Sequence, residues 1–294
     1  MDINQFPLWT ALVTPLDQDG KVDFTSLTKI VNQQTTAQNG LLILGSTAEA
    51  LNLKLSDKKT ILEHVINMKP SSPIMVGVGG HQLEETLEWL SYLETLPIHA
   101  YLMVTPLYAK PGAHGQTQWF KTLMDAVTRP VMLYNVPGRT AVAMSVEAVK
   151  NLNTHKNFWA IKEASGSVEK MKEYLAAAGG KRVYCGDDAL MPEFSAAGAV
   201  GLVSVASNAW PAETNLYVRK CLDKTLEEKQ MWADASNSLF IASNPVPVKR
   251  LMSERGDIAT PKMVPPLSDL DLASADVLLA HDKNVKQWYG DYKK

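Results

Sequence analysis

Cysteine is nearly absent from this 294-residue sequence, with Cys185 and Cys221 the only two. A disulfide framework is therefore excluded, and such sparse use of thiols suits a reducing compartment. Charge of one sign is lacking too: 29 Lys and Arg face 31 Asp and Glu, a formal net charge of -2. That balance gives no reason to expect nucleic acid or an anionic membrane as a partner. No uninterrupted apolar run is long enough to span a bilayer, and the opening MDINQFPLWT has neither the basic segment nor the apolar core of a signal peptide. A cytoplasmic protein is expected. His64, His81, His99, His114, His155 and His281 are scattered, with no ligand pair at helical or hairpin spacing, so no metal and no cofactor are expected. Neither a G-x-S-x-G elbow nor a P-loop is present, which removes serine hydrolases and P-loop NTPases.

Short apolar, β-branched runs are abundant, each closed by Gly, Pro or a small polar cluster. They are LWTALVT from Leu8, LLILG from Leu41, IMVGV from Ile74, AYLMV from Ala100, VMLYN from Val131, FWAIK from Phe158, VYCG from Val183 and GLVSV from Gly201. Near-continuous apolarity is what strands covered on both faces require. Between them lie amphipathic stretches of helical length, such as SLTKIVNQQTTAQ, SDKKTILEHVINM, LEETLEWLSYLETL and VEKMKEYLAAA. Ser56 and Ser167 are the clearest capping residues, and Gly40 and Gly179-Gly180 stand where helices should stop. Strand starts are 18 to 33 residues apart, one strand-helix unit each. Eight such units predict an α/β fold, a (β/α)8 TIM barrel over residues 1–223, with a C-terminal helical appendage, 224–294, packed on it. A doubly wound sheet would want a G-x-G-x-x-G turn after the first strand; VTPLDQDG is not one, and GVGGH at Gly77 lacks the third glycine.

Barrel chemistry sits at the C-terminal strand ends. Here those ends carry Gly45-Ser46-Thr47-Ala48-Glu49, Thr105-Pro106-Leu107-Tyr108, Tyr134-Asn135-Val136-Pro137-Gly138-Arg139, Lys162-Glu163, Gly186-Asp187-Asp188 and Ser204 to Asn208. A lysine ending the sixth strand is either a solvated charge or an amine projecting into the mouth. Burial disfavours the charged form of an amine, so the second arrangement makes a nucleophile toward a carbonyl. The apolar approach Phe158-Trp159-Ala160-Ile161 tips toward the second, and spacing alone leaves both open.

Together these motifs resemble the dihydrodipicolinate synthase/N-acetylneuraminate lyase family of class I, Schiff-base-forming aldolases. G-S/T-T-x-E after strand two, Y-N-x-P after strand five and I-K-E/D after strand six carry the resemblance, which runs from Leu12-Val13-Thr14-Pro15 to Asn244-Pro245-Val246-Pro247-Val248-Lys249. It implies that Lys162 forms an imine with pyruvate, that Tyr134 donates and accepts protons, that Ser46 and Thr47 hold the pyruvate carboxylate, and that the catalytic Ser46 hydroxyl takes part in the proton relay. It further implies that Tyr108 completes the relay of a neighbouring subunit, in a homodimer or homotetramer, and that Gly186 and Val203 line the substrate site. Each has a plainer alternative: Tyr134 as a strand-end tyrosine with a wet hydroxyl, Ser46 as a helix cap, Tyr108 as surface. Asp187 and Asp188 are expected to shape the mouth or to bind substrate hydroxyls.

The second substrate is expected to be L-aspartate 4-semialdehyde, because Val136-Pro137-Gly138-Arg139-Thr140 looks like the synthase branch, in which the arginine grips its carboxylate. The alternative for Arg139 is a surface charge. A lyase or aldolase for N-acetylneuraminate or a 2-keto-3-deoxy sugar acid is the rival enzyme, and a non-catalytic keto-acid sensor the rival from another class. Two departures stand out. Ser46 and Ala48 occupy places where the synthase pattern has threonine and glycine, and Ala48 is free of strain only where φ is negative. At the family's lysine-feedback site stand Leu55, Lys58, His81, Glu85 and Leu107, so weak or absent inhibition by lysine is expected.

Overall fold

A computed structural model describes residues 1–293. Eight parallel strands close into one barrel in sequence order: β1 Leu8–Ala11, β2 Gly40–Ile43, β3 Ile74–Val78, β4 Ala100–Val104, β5 Val131–Asn135, β6 Phe158–Glu163, β7 Arg182–Cys185 and β8 Leu202–Ser204. Because strand side chains alternate, each apolar run feeds two cores. Trp9, Leu42, Met75, Met132, Tyr134 and Val203 fill the barrel interior, whereas Leu8, Ile43, Val76, Leu133, Ile161 and Val183 face the helices outside. Trp9 fits only because position 40 is glycine, where a Cβ would stand 2.5 Å from the indole. Phe6, Trp9, Trp159 and Tyr184 then form a run of ring contacts, with centroids 6.3, 6.1 and 5.6 Å apart in turn.

One irregularity decides which way the sixth strand points its lysine. Val131 pairs with Phe158, but Met132 already pairs with Ala160, so Trp159 is an extra, bulged residue. The bulge resets the alternation. Trp159 and Ala160 both meet the inner core, Ile161 faces out, and Lys162 comes level with Tyr134.

The expected helices occur at Phe24–Thr36, Leu55–Asn67, Leu83–Glu94 and Val168–Ala177. Ser167 caps the last of these through Lys170 N. Ser56 is not a cap: its helix starts one residue earlier, after Lys54, because the leucine at 55 already has helical geometry. Gly40 opens β2 rather than ending a helix, which closes at the Ala37 cap.

After the helix Pro211–Leu222 come the helices Lys229–Ser238, Val246–Glu254 and Asp276–Tyr292. Trp232 joins them to the barrel units: its ring stacks on Tyr217 at 4.2 Å and meets Trp210 and Trp288 edge-on. Trp210 Nε1 and Arg255 both bond Asp282, at 2.8 and 2.9 Å. Thr260 also donates to the Leu16 carbonyl at 2.8 Å, so this segment returns to the loop after β1.

Candidate active site

Lys162 is 5% exposed and Tyr134 6%, and they are register partners at the mouth of the barrel. Lys162 Nζ lies 4.3 Å from the centre of the Tyr134 ring. Gly186, at the end of β7, makes room for the amine's stem: a Cβ there would fall 2.9 Å from Lys162 Cε and 2.6 Å from Ala164 Cβ. Only a residue without a side chain lets the lysine pass.

The next residue on each strand points outward and locks the pair. Asn135 Nδ2 donates to Glu163 Oε2 at 2.7 Å, Ser165 N to Glu163 Oε1 at 2.7 Å, and Met144 N to Asn135 Oδ1 at 2.7 Å. Burial raises the Glu163 carboxyl above its ordinary value, against the pull of those hydrogen bonds. From the other side, Thr105 N and Oγ1 both donate to the Tyr134 carbonyl, at 3.0 and 2.9 Å.

The turn after β2 is built differently. A 3₁₀ turn, Ser46–Ala48, is bracketed by two non-glycine residues in the left-handed region, Leu44 at φ 58° and Glu49 at φ 57°. Such residues persist only where the surroundings over-determine them. Here the surroundings are explicit. Glu49 Oε1 pairs with Lys249 Nζ at 2.9 Å with both side chains fully buried, and Glu49 Oε2 accepts Val264 N at 2.6 Å. Burial lowers the Lys249 ammonium, while Glu49 pushes it back up. Thr14 Oγ1 donates to the Ala48 carbonyl at 2.8 Å. Ala48 is not among the left-handed residues, so alanine there carries no strain. Ser46 makes no capping bond and is exposed, whereas Thr47 is 4% exposed.

Arg139 stands exposed on the short helix Pro137–Thr140, and its Nη2 donates to the Asn244 carbonyl at 2.9 Å. Asn244 Nδ2 reaches Thr47 Oγ1 at 3.0 Å. Val203 is buried in the interior beside Trp9 and offers no polar side-chain atom. Asp188 ties the loop after β7 to the end of β8: it accepts from the Ser204 hydroxyl and from Val205 N, at 2.9 Å for the latter, and burial raises it to about 6. Asp187 caps its own loop through Ala189 N at 3.1 Å. Asp188 is thus engaged with the end of β8, and one oxygen of Asp187 with its own loop. Tyr108 is 87% exposed, at φ 63°, and lies outside the cluster formed by Lys162 and Tyr134. Asn135, Glu163, Asn244, Glu49 and Lys249 stand inside the sequence motifs but are given no role there; only the fold shows their partners.

A family model, the Dihydrodipicolinate synthetase family, matches residues 6–283. The chain is 44% identical over 282 residues to the 4-hydroxy-tetrahydrodipicolinate synthase of Wolbachia pipientis wMel, covering 96% of each chain. It is 43% identical over 291 residues to the synthase of Francisella tularensis subsp. novicida, 98% of each. Among solved structures, the chloride-inhibited dihydrodipicolinate synthase of Acinetobacter baumannii complexed with pyruvate superposes with a TM-score of 0.87 at 31% identity, over 96% of this chain and 98% of that one.

Proposed function

The chain belongs to the dihydrodipicolinate synthetase family, and on that premise we propose that it is a 4-hydroxy-tetrahydrodipicolinate synthase, condensing pyruvate with L-aspartate 4-semialdehyde. The observation that carries this is the buried Lys162 amine, held over the Tyr134 ring at the C-terminal strand ends of a closed barrel. The Lys162 amine attacks the keto carbon of pyruvate, and Tyr134 supplies and removes the protons needed to expel water. Ser46 and Thr47 hold the pyruvate carboxylate through their hydroxyls and main-chain N–H groups. The protonated imine is an electron sink, so the methyl group loses a proton and the resulting enamine carbon attacks the aldehyde. Arg139 grips the carboxylate of the semialdehyde with the rest of its fork of donors. The semialdehyde's own amine then displaces Lys162 from the imine carbon, which closes the ring and frees the enzyme.

Tyr108 belongs to the same reading. Its exposure and left-handed backbone suit a side chain presented to a neighbour, so the working enzyme is a homo-oligomer in which Tyr108 enters the partner's relay. No helix among the described residues is long and apolar enough to cross a membrane, in keeping with a cytoplasmic enzyme. Feedback by lysine should be weak: the exposed Leu55 cannot hydrogen-bond it, and Lys58 repels its ammonium groups. Half-maximal inhibition at sub-millimolar lysine would contradict that.

Turnover against a panel of aldehydes tests the function. L-aspartate 4-semialdehyde should be consumed with pyruvate, and N-acetylmannosamine should not. Consumption of N-acetylmannosamine without the semialdehyde would replace the synthase by a sugar-acid lyase.

A further inference from the structure

Both groups assigned to substrate carboxylates meet at one buried residue from outside the barrel strands. Asn244 is 7% exposed and precedes the helix Val246–Glu254. Its Nδ2 donates to Thr47 Oγ1 at 3.0 Å, while its main-chain carbonyl accepts Arg139 Nη2 at 2.9 Å. A hydroxyl oxygen that accepts from an amide keeps its own proton for another partner. Thr47 is thereby set as a donor, the role a bound carboxylate needs. Arg139 has one donor on the Asn244 carbonyl, which fixes the guanidinium and leaves the rest of its fork for a second carboxylate.

Two further observations favour a functional role over simple packing. Asn244 Oδ1 is buried with no protein partner among the described residues, which carries a cost of desolvation and leaves an acceptor beside the site. The helix that follows Asn244 is also fixed to the same turn from beneath, by the Lys249–Glu49 pair. The segment is thus anchored at one point and reaches the two substrate grips from another.

We propose that Asn244 is a positioning residue that aims both grips, coupling the pyruvate seat after β2 to the semialdehyde grip after β5. Its role rests on the function proposed above. Asn244→Asp keeps the size of the side chain, but its carboxylate accepts where the amide donates, so it draws the Thr47 proton away from pyruvate. Asn244→Ala removes the contact with Thr47 and keeps the main-chain carbonyl that accepts from Arg139.

The test is steady-state kinetics in both substrates on wild type, Asn244→Asp, Asn244→Ala, Thr47→Val and the Thr47→Val/Asn244→Ala double variant, with thermal melting of each. Asn244→Asp should raise the KM for pyruvate about tenfold or more, with kcat within about threefold, the loss expected for one misdirected hydrogen bond to a charged group. Asn244→Ala should raise the KM for pyruvate severalfold and that for the semialdehyde less, because the main-chain carbonyl that holds Arg139 remains. The double variant should bind pyruvate no worse than Thr47→Val alone, the signature of two residues acting through one contact. An Asn244→Asp enzyme within twofold of wild type in pyruvate KM overturns the proposal, as do independent, multiplying effects in the double variant. So does a loss of kcat that merely tracks a loss of folded protein. Should Asn244→Asp fail to fold, the Ala and double variants decide. Wild-type enzyme that forms no borohydride-trappable adduct with pyruvate would instead remove the function itself, a separate failure.

Discussion

The wall formed by β5, β6 and β7 and the turn after β2 face each other across the same mouth, yet they are held by opposite means. On the wall, Tyr134 and Lys162 sit in ladder register, their strands pinned by Asn135, Glu163 and Thr105 through short neutral or single-charge hydrogen bonds. The turn has no such ladder. It carries two left-handed residues, and a fully buried ion pair from the C-terminal segment, about two hundred residues away in sequence, holds it in place. The covalent chemistry proposed for Lys162 thus falls on regular strand ends, which need little support beyond the barrel. The proposed carboxylate seat falls on a strained loop that the chain braces from outside.

That contrast predicts separable losses. The largest is catalytic: Lys162→Ala should lower kcat by about a thousandfold or more, since it removes the proposed imine nitrogen, while stability changes by no more than about 1 kcal/mol. Steady-state assays and urea unfolding measure the two; a large loss of stability would mean that the wall too depends on its functional group.

Tyr108→Phe comes next, with kcat down by about a hundredfold, the usual worth of a proton-transfer group. Mixing it with inactive Lys162→Ala protomers should restore activity if Tyr108 serves the neighbouring subunit. Failure of the mixture to exceed the sum of its parts would count against the crossing.

In the turn the effect is on stability. Lys249→Met leaves Glu49 buried and unpaired and should cost about 3–5 kcal/mol in urea unfolding. A loss under about 1 kcal/mol would show that the turn does not need its brace.

Smallest is a pH effect at the edge of the wall. Burial raises Asp188 from 3.8 to about 6, so the native state holds its proton more tightly than the unfolded chain. The stability this gives is complete below about pH 4 and is lost as pH rises toward 6. Asp187 and Glu163, both raised by burial, act in the same direction. Unfolding between pH 4 and 6 should therefore be less pH-dependent in Asp188→Asn than in wild type; an unchanged slope would refute the assignment.

How much of this the sequence disclosed depends on the distance over which each feature is determined. All eight strands could be read because each is apolar on both faces, a local property, and their ends named the mouth. The direction of Lys162 could not be read from alternation alone, because it depends on the Trp159 bulge, which exists only when β6 pairs with β5. Ser56 misled for a local reason: a capping residue type stood one turn position inside a helix that starts without a side-chain cap. Asn244 and Lys249 were visible as part of a motif, but their partners lie 197 and 200 residues away, and no periodicity encodes such pairings. Asp188 is placed at the mouth by its position, but its partners Ser204 and Val205 at the end of the next strand could be named only from the fold.

The most direct test of the whole account is peptide mass spectrometry after incubation with pyruvate and reduction by borohydride. One reduced pyruvate should be found on the peptide carrying Lys162 and nowhere else, and the label should vanish when pyruvate or borohydride is omitted. An unlabelled Lys162 in active enzyme, or a label on another lysine, would contradict the chemistry placed between β5 and β6.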